Sequence, residues 1–125
     1  MKKKEYCCTN GCVRYAGVHL ILEIRDAANL SSLPKVRKAL QDSVKAIGAT
    51  LLGIDLHKFS PSGGISGMAI ISESHLSIHS WPEYGYAALD VFTCGDVNPY
   101  DALPILKKAF KTNNVQITEF KRGIF

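Results

Sequence analysis

Ile71-Ser72-Glu73-Ser74-His75-Leu76-Ser77-Ile78-His79-Ser80-Trp81 gathers serines, two imidazoles and a carboxylate directly after an apolar run. A segment that only had to be a buried strand would not carry so many polar groups. Each costs a few kcal/mol inside a protein unless it finds a partner. On the N-terminal side, Ser66 to Ser72 is apolar on both faces in its middle and reads as a strand that delivers the chain into this stretch. On the C-terminal side, Pro82-Glu83-Tyr84-Gly85 is a turn, and Tyr86 to Thr93 is a further strand ending in Cys94-Gly95-Asp96. Strands joined by such short connections pair antiparallel.

Further out, Val18, Leu20, Leu22 and Ile24 alternate with His19, Ile21, Glu23 and Arg25, the pattern of a half-buried strand in which His19 is expected to be structural. Ser31 or Ser32 can cap a helix with Pro34 in its first turn. Leu33, Val36, Leu40, Val44 and Ile47 form its apolar stripe, and Gly48 ends it. Leu51 to Phe59 is another strand, followed by the loop Ser60-Pro61-Ser62-Gly63-Gly64. Those glycines match neither a dinucleotide-binding fingerprint nor a Walker loop. Asn98 and Pro99 start a second helix with Leu103, Leu106 and Phe110 on its stripe and Asn113-Asn114 at its end. Val115 to Phe120 is a last strand before a short basic tail.

The order predicts an α+β two-layer sandwich: a mainly antiparallel sheet with two helices on one face. Many strand positions are apolar on both sides, so the other face needs a cover. A second copy is the natural one, giving at least a homodimer with sheets packed across it. The 125 residues, 46% hydrophobic and 21% charged, make a single globular domain. Residues 1–16 lack periodicity and read as a flexible tail. Its Cys7, Cys8 and Cys12 fall short of a four-ligand zinc site and, with Cys94, form no disulfide framework. Reduced thiols, no signal peptide and no long apolar run point to a cytoplasmic protein off the membrane. The net charge of +4 is mild and gives no reason to expect a nucleic-acid partner.

Four chemistries fit the central stretch. A serine hydrolase could use Ser74 with His75 or His79 and Asp90, but no nucleophile elbow surrounds Ser74. A metal could take His75, His79 and Cys94, but on a strand the two histidines lie about 13 Å apart at ~3.3 Å per residue. A purely structural hydrogen-bond network is the third. The fourth is chemistry of the peptide bond itself. A serine after a strained residue attacks the carbonyl before it, a base removes its α-proton, and β-elimination followed by hydrolysis leaves a pyruvoyl group. That needs a serine after a cleavable bond, an imidazole and hydroxyls. Glu73-Ser74, His79 and Ser66 are the right types.

From Ser72 to Asp96 the sequence closely resembles the signature of the short bacterial and archaeal S-adenosylmethionine decarboxylases, with weaker similarity from Gly17 to Arg122. The resemblance implies self-cleavage between Glu73 and Ser74 into a β chain, 1–73, and an α chain, 74–125, that begins with a pyruvoyl group made from Ser74. It implies His79 as proton acceptor in processing, Ser66 as its support and Cys94 as proton donor in turnover. Phe59, Trp81 and Glu83 are implied as substrate contacts, with sites completed across a dimer of αβ units. The covalent pyruvoyl group replaces pyridoxal phosphate as electron sink, and no metal is expected. The implied activity is decarboxylation of S-adenosylmethionine for polyamine synthesis.

The sequence departs from the family pattern at Gly17-Val18-His19, at Asp26-Ala27-Ala28-Asn29, and in a longer loop, Ser60 to Ile65. These departures keep L-ornithine or L-arginine open as substrates, with Asp55, Glu83 or Asp96 as partners for a side-chain cation. An uncleaved, non-enzymatic relative acting as a binding partner is a further alternative.

Overall fold

The computed structural model describes residues 15–94 and 97–124. The roles of Cys7, Cys8, Cys12 and Asp96 therefore lie outside the described residues. Six strands, β1 (Tyr15–Ile24), β2 (Leu51–Lys58), β3 (Ile65–Ile71), β4 (Ser74–Trp81), β5 (Tyr86–Cys94) and β6 (Val115–Ile124), form one antiparallel sheet in the order β2-β3-β4-β5-β1-β6. Two helices, α1 (Leu33–Ile47) and α2 (Ala102–Ala109), pack on one face of it. The α+β sandwich expected from the sequence is the observed fold.

Alternation sorts the strands into two faces. On β5, Ala87, Leu89, Val91 and Thr93 are buried while the residues between them are half-exposed. The same phase buries Leu20, Leu22 and Ile24 on β1 and Leu76, Ile78 and Ser80 on β4. Against this core face α1 sets Val36, Leu40, Val44 and Ile47, and Phe110 closes the end of α2. Local chemistry fixes the ends of α1. The Ser32 hydroxyl accepts from the Lys35 N–H at 3.3 Å, and Gly48 takes the left-handed conformation, φ 81°, that a Cβ would disfavour.

Three boundaries differ from expectation. Tyr15 and Ala16 belong to β1, so the segment read as tail is shorter. The basic residues after Phe120 continue β6, because Lys121 and Arg122 pair with Val18 and Gly17. Asn98 caps a 3-10 turn, Pro99–Asp101, and α2 begins only at Ala102 and ends at Ala109. For the two strands pairing outweighed a composition that reads as loop, and at α2 the first turn capped by Asn98 is 3-10 rather than α.

Candidate active site

Of the chemistry-bearing side chains of β4, His75, Ser77 and His79 stand on the open face, opposite the helices. Register groups them into rows running across the strands. His57, Ser66 and His79 align in one row, Asp55, Met68, Ser77 and Asp90 in the next, and Ile70, His75, Phe92, His19 and Phe120 in a third. In the first row the Ser66 hydroxyl and His79 Nδ1 are hydrogen-bonded at 2.9 Å. A groove of about 610 Å³ opens over β2 and β3 beside them, with Asp55, His57, Met68 and Ile70 in its walls.

Ser74 stands on the other face. It shares the strand phase of Leu76, Ile78 and Ser80, and its Oγ is buried without a hydrogen-bond partner among the described residues. The neighbouring polar groups do find partners. Ser80 donates to the Leu30 carbonyl and accepts from the Ile65 N–H, both at 2.9 Å, while Ser77 and His75 bond Asp90. The residue before Ser74 is unusual too. Ser72 and Glu73 form the two-residue turn between β3 and β4, and Glu73 holds φ at 71°, in the left-handed region. For a non-glycine residue this costs about 1–2 kcal/mol. An unsatisfied hydroxyl thus follows a strained peptide unit.

Cys94 lies at the same end of the sheet, opposite Gly17. A Cβ at Gly17 would come 2.4 Å from the Thr93 carbonyl and 3.1 Å from Cys94 Sγ, so only glycine leaves the thiol its place. Ser66, His79, Phe59, Trp81 and Glu83 gather at the opposite end. Phe59 and Trp81 are 47% and 42% exposed. The Phe59 ring meets His57 edge-on at 4.5 Å, Trp81 stacks on Tyr86 at 5.2 Å, and Glu83 sits exposed in the 3-10 turn Pro82–Tyr84. The two groups are five residues apart along β4, roughly 16 Å at ~3.3 Å per residue. One chain therefore does not bring His79 to Ser74.

Between the two ends lies a cluster that sequence reasoning did not assemble. His19 Nε2 is 2.6 Å and His75 Nε2 3.1 Å from Asp90 Oδ2, and Ser77 Oγ donates to Asp90 Oδ1. Burial raises the Asp90 carboxyl, but the hydrogen bonds from Ser77, His19 and His75 outweigh it and hold the group below its ordinary value of 3.8. An ionised carboxylate only accepts, so both imidazoles donate through Nε2. His19 Nδ1 then accepts from Arg122 Nη1 at 3.4 Å. Among the described residues, ligand atoms of these three side chains converge within 4.8 Å and could hold a metal ion. Their Nε2 positions are, however, already committed to Asp90. The signal in the sequence was the shared strand phase of His19, His75 and Asp90, which requires the register to interpret. The hydrolase arrangement does not form, since Ser74 and His75 face opposite sides of the sheet.

The S-adenosylmethionine decarboxylase family model matches residues 18–123. The S-adenosylmethionine decarboxylase proenzyme of Methanococcus maripaludis strain C7 is 49% identical over 115 residues, covering 90% of this chain and 93% of the relative. The proenzyme of Thermomicrobium roseum is 46% identical over 109 residues, covering 86% of this chain and 94% of that one. The crystal structure of the adenosylmethionine decarboxylase from Aquifex aeolicus VF5 superposes with a TM-score of 0.78 at 27% identity, over 89% of this chain and 93% of that chain. Fold, signature and relatives agree, and this chain belongs to the S-adenosylmethionine decarboxylase family.

Proposed function

We propose that the chain is a proenzyme that cuts itself between Glu73 and Ser74 and then decarboxylates S-adenosylmethionine. The observation that carries this reading is the buried Ser74 hydroxyl, without a hydrogen-bond partner among the described residues, behind a Glu73 held at positive φ. Attack of Ser74 Oγ on the Glu73 carbonyl converts the amide to an ester and relieves the turn. Removal of the Ser74 α-proton by His79, oriented by Ser66, expels the Glu73 carboxylate by β-elimination. Water then enters, ammonia leaves, and residue 74 becomes a pyruvoyl group. The products are a β chain, 1–73, and an α chain, 74–125.

His79 and Ser74 are separated along β4, so the imidazole comes from a second copy. Met68, Ile70 and Phe120 are 41%, 51% and 52% exposed on the open face, which supports packing two open faces together. A two-fold axis near Ser77 would set the Ser74–Cys94 end of one copy against the Ser66–His79 end of the other. Phe59, Trp81 and Glu83 of one copy then contact substrate at the partner's residue 74, with aromatic faces suited to an adenine and a sulfonium.

The pyruvoyl group supplies the carbonyl that condenses with the substrate amine and the electron sink for the departing carboxylate. Cys94, at the strand end beside residue 74, donates the returning proton. The curated relatives are named for S-adenosylmethionine, which supports that substrate. Ornithine and arginine gain no comparable support. The spermidine branch of polyamine synthesis and a cytoplasmic setting follow as part of the same reading. Intact mass under denaturing conditions tests it. Two fragments meeting at Glu73/Ser74, the α chain bearing pyruvoyl, are expected. Ser74→Ala should remain a single inactive chain, and decarboxylation by that variant would overturn the assignment.

A further inference from the structure

Cleavage at Glu73–Ser74 would create a mechanical problem that the open face is built to meet. The two-residue turn is the covalent link that holds the start of β4 against β3. Once it is cut, residue 74 is a chain end, and chain ends fray unless something ties them down. Here the end would carry the reactive carbonyl, joined to the amide nitrogen of His75. The position of His75 therefore sets the position of the chemistry, and a displacement of about 1 Å can cost about 10²-fold in rate.

We propose that the His19–Asp90–His75 cluster is a clamp that holds the new α-chain end after cleavage, so that His75, Asp90 and His19 are positioning residues for turnover. The inference rests on the self-processing reading above. His75 is the first residue after the cut with a side chain on the open face, and its Nε2 reaches Asp90 on β5 at 3.1 Å. Asp90 is itself held from two sides, by Ser77 two residues along β4 and by His19 on β1 at 2.6 Å. The Phe92 ring lies against both imidazoles, with centroids 5.1 Å from His19 and 6.1 Å from His75. Arg122 of β6 sits over that ring at 5.3 Å and reaches His19 Nδ1. His75 is thus tied sideways through three further groups to β5, β1 and β6. Backbone pairing alone would leave the last ladder rung, Ile71 with Ser74, open to fraying.

Nothing in the uncut chain needs such a tie, because the Ser72–Glu73 turn already fixes the same end. The clamp should therefore matter only after cutting. The test compares His75→Ala in the processing-competent chain with the same change in the uncut Ser74→Ala background. The readouts are intact mass, amide exchange of residues 75–79, and steady-state decarboxylation. His75→Ala is expected to cut. Exchange at 75–79 should then rise roughly tenfold or more in the cut form alone. kcat should fall by up to about 10²-fold with KM little changed. His75→Gln, whose amide can still donate to Asp90, should restore most of the rate, and Asp90→Asn should reproduce the alanine effect with side-chain volume retained.

Equal exchange in cut and uncut backgrounds would make the cluster merely structural and overturn the clamp. So would unchanged kcat, or a His75→Ala chain that no longer cuts. A wild-type chain that stays whole would instead remove the self-processing reading, and the clamp with it.

Discussion

The two ends of β4 are built differently. At the turn end, Glu73 is held at φ 71°, the Ser74 hydroxyl is buried with no bond among the described residues, and Gly17 keeps room for Cys94. At the far end Ser66, His79, Trp81 and Phe59 hold no positive φ. Ser66 and His79 are already hydrogen-bonded, Trp81 is stacked on Tyr86, and Phe59 leans on His57. One end is a loaded peptide bond and the other a preformed acid–base and aromatic surface. The strand β4 keeps the two apart. On the proposed self-processing reading, the difference makes a pair of chains the unit of function, each lending its far end to the other's turn.

The largest effect should come from splitting the two ends between chains. If the proposed roles hold, Ser74→Ala removes the turn-end nucleophile and His79→Ala the far-end base, so each variant alone should stay whole and inactive. Coexpressed, a mixed pair contains one complete site, in which His79 from the Ser74→Ala chain faces Ser74 of the His79→Ala chain. Random pairing should then cut about a quarter of all chains. Intact mass counts them directly. No cutting in the mixture would mean that both ends act within one chain after a rearrangement of β4.

A smaller change should separate the ends without touching either. Ile70 is 51% exposed beside His75, and a lone chain should tolerate aspartate there. Packed between two sheets, that carboxylate would be a desolvated charge without a partner. Ile70→Asp should therefore sediment as a monomer that keeps its circular-dichroism spectrum but cuts at least tenfold more slowly. Normal cutting by a monomer would break the two-chain account.

The core face was legible in the sequence because alternation and helical spacing report burial directly. Val18 to Ile24 and the stripe from Leu33 to Ile47 needed no partner to be interpreted. Residue types left Glu73–Ser74 as one of four candidate chemistries and the resemblance singled it out, since nothing in residue types alone announces a positive φ at glutamate. The His19–Asp90–His75 cluster was not legible at all. His19 read as a structural histidine, and Asp90 read as a possible triad member. Only the register that pairs Phe92 with both His19 and His75, and Asp90 with Ser77, turns three strands into one site. Boundaries at Tyr15 and Ile124 were missed for a related reason. β1 and β6 extend each other by pairing, and their local composition favours no strand there.

The middle of the face gives the smallest and most specific prediction. Asp90 titrates below its ordinary value of 3.8, so the folded chain binds its proton less readily than the unfolded chain. Its contribution to stability is therefore fully present above about pH 4 and is lost as pH falls through the depressed folded value. Asp90→Asn lacks this contribution at every pH. In the homogeneous Ser74→Ala background, the asparagine variant should melt a few degrees lower at pH 7, on the order of 5 °C, and the gap should close toward pH 3. Changes confined to the turn end or the far end would show no such convergence, since neither removes Asp90. A gap that stays constant from pH 7 to pH 3 would mean that the carboxylate charge is not what holds His19 and His75. The three strands would then be held at their centre by packing on Phe92.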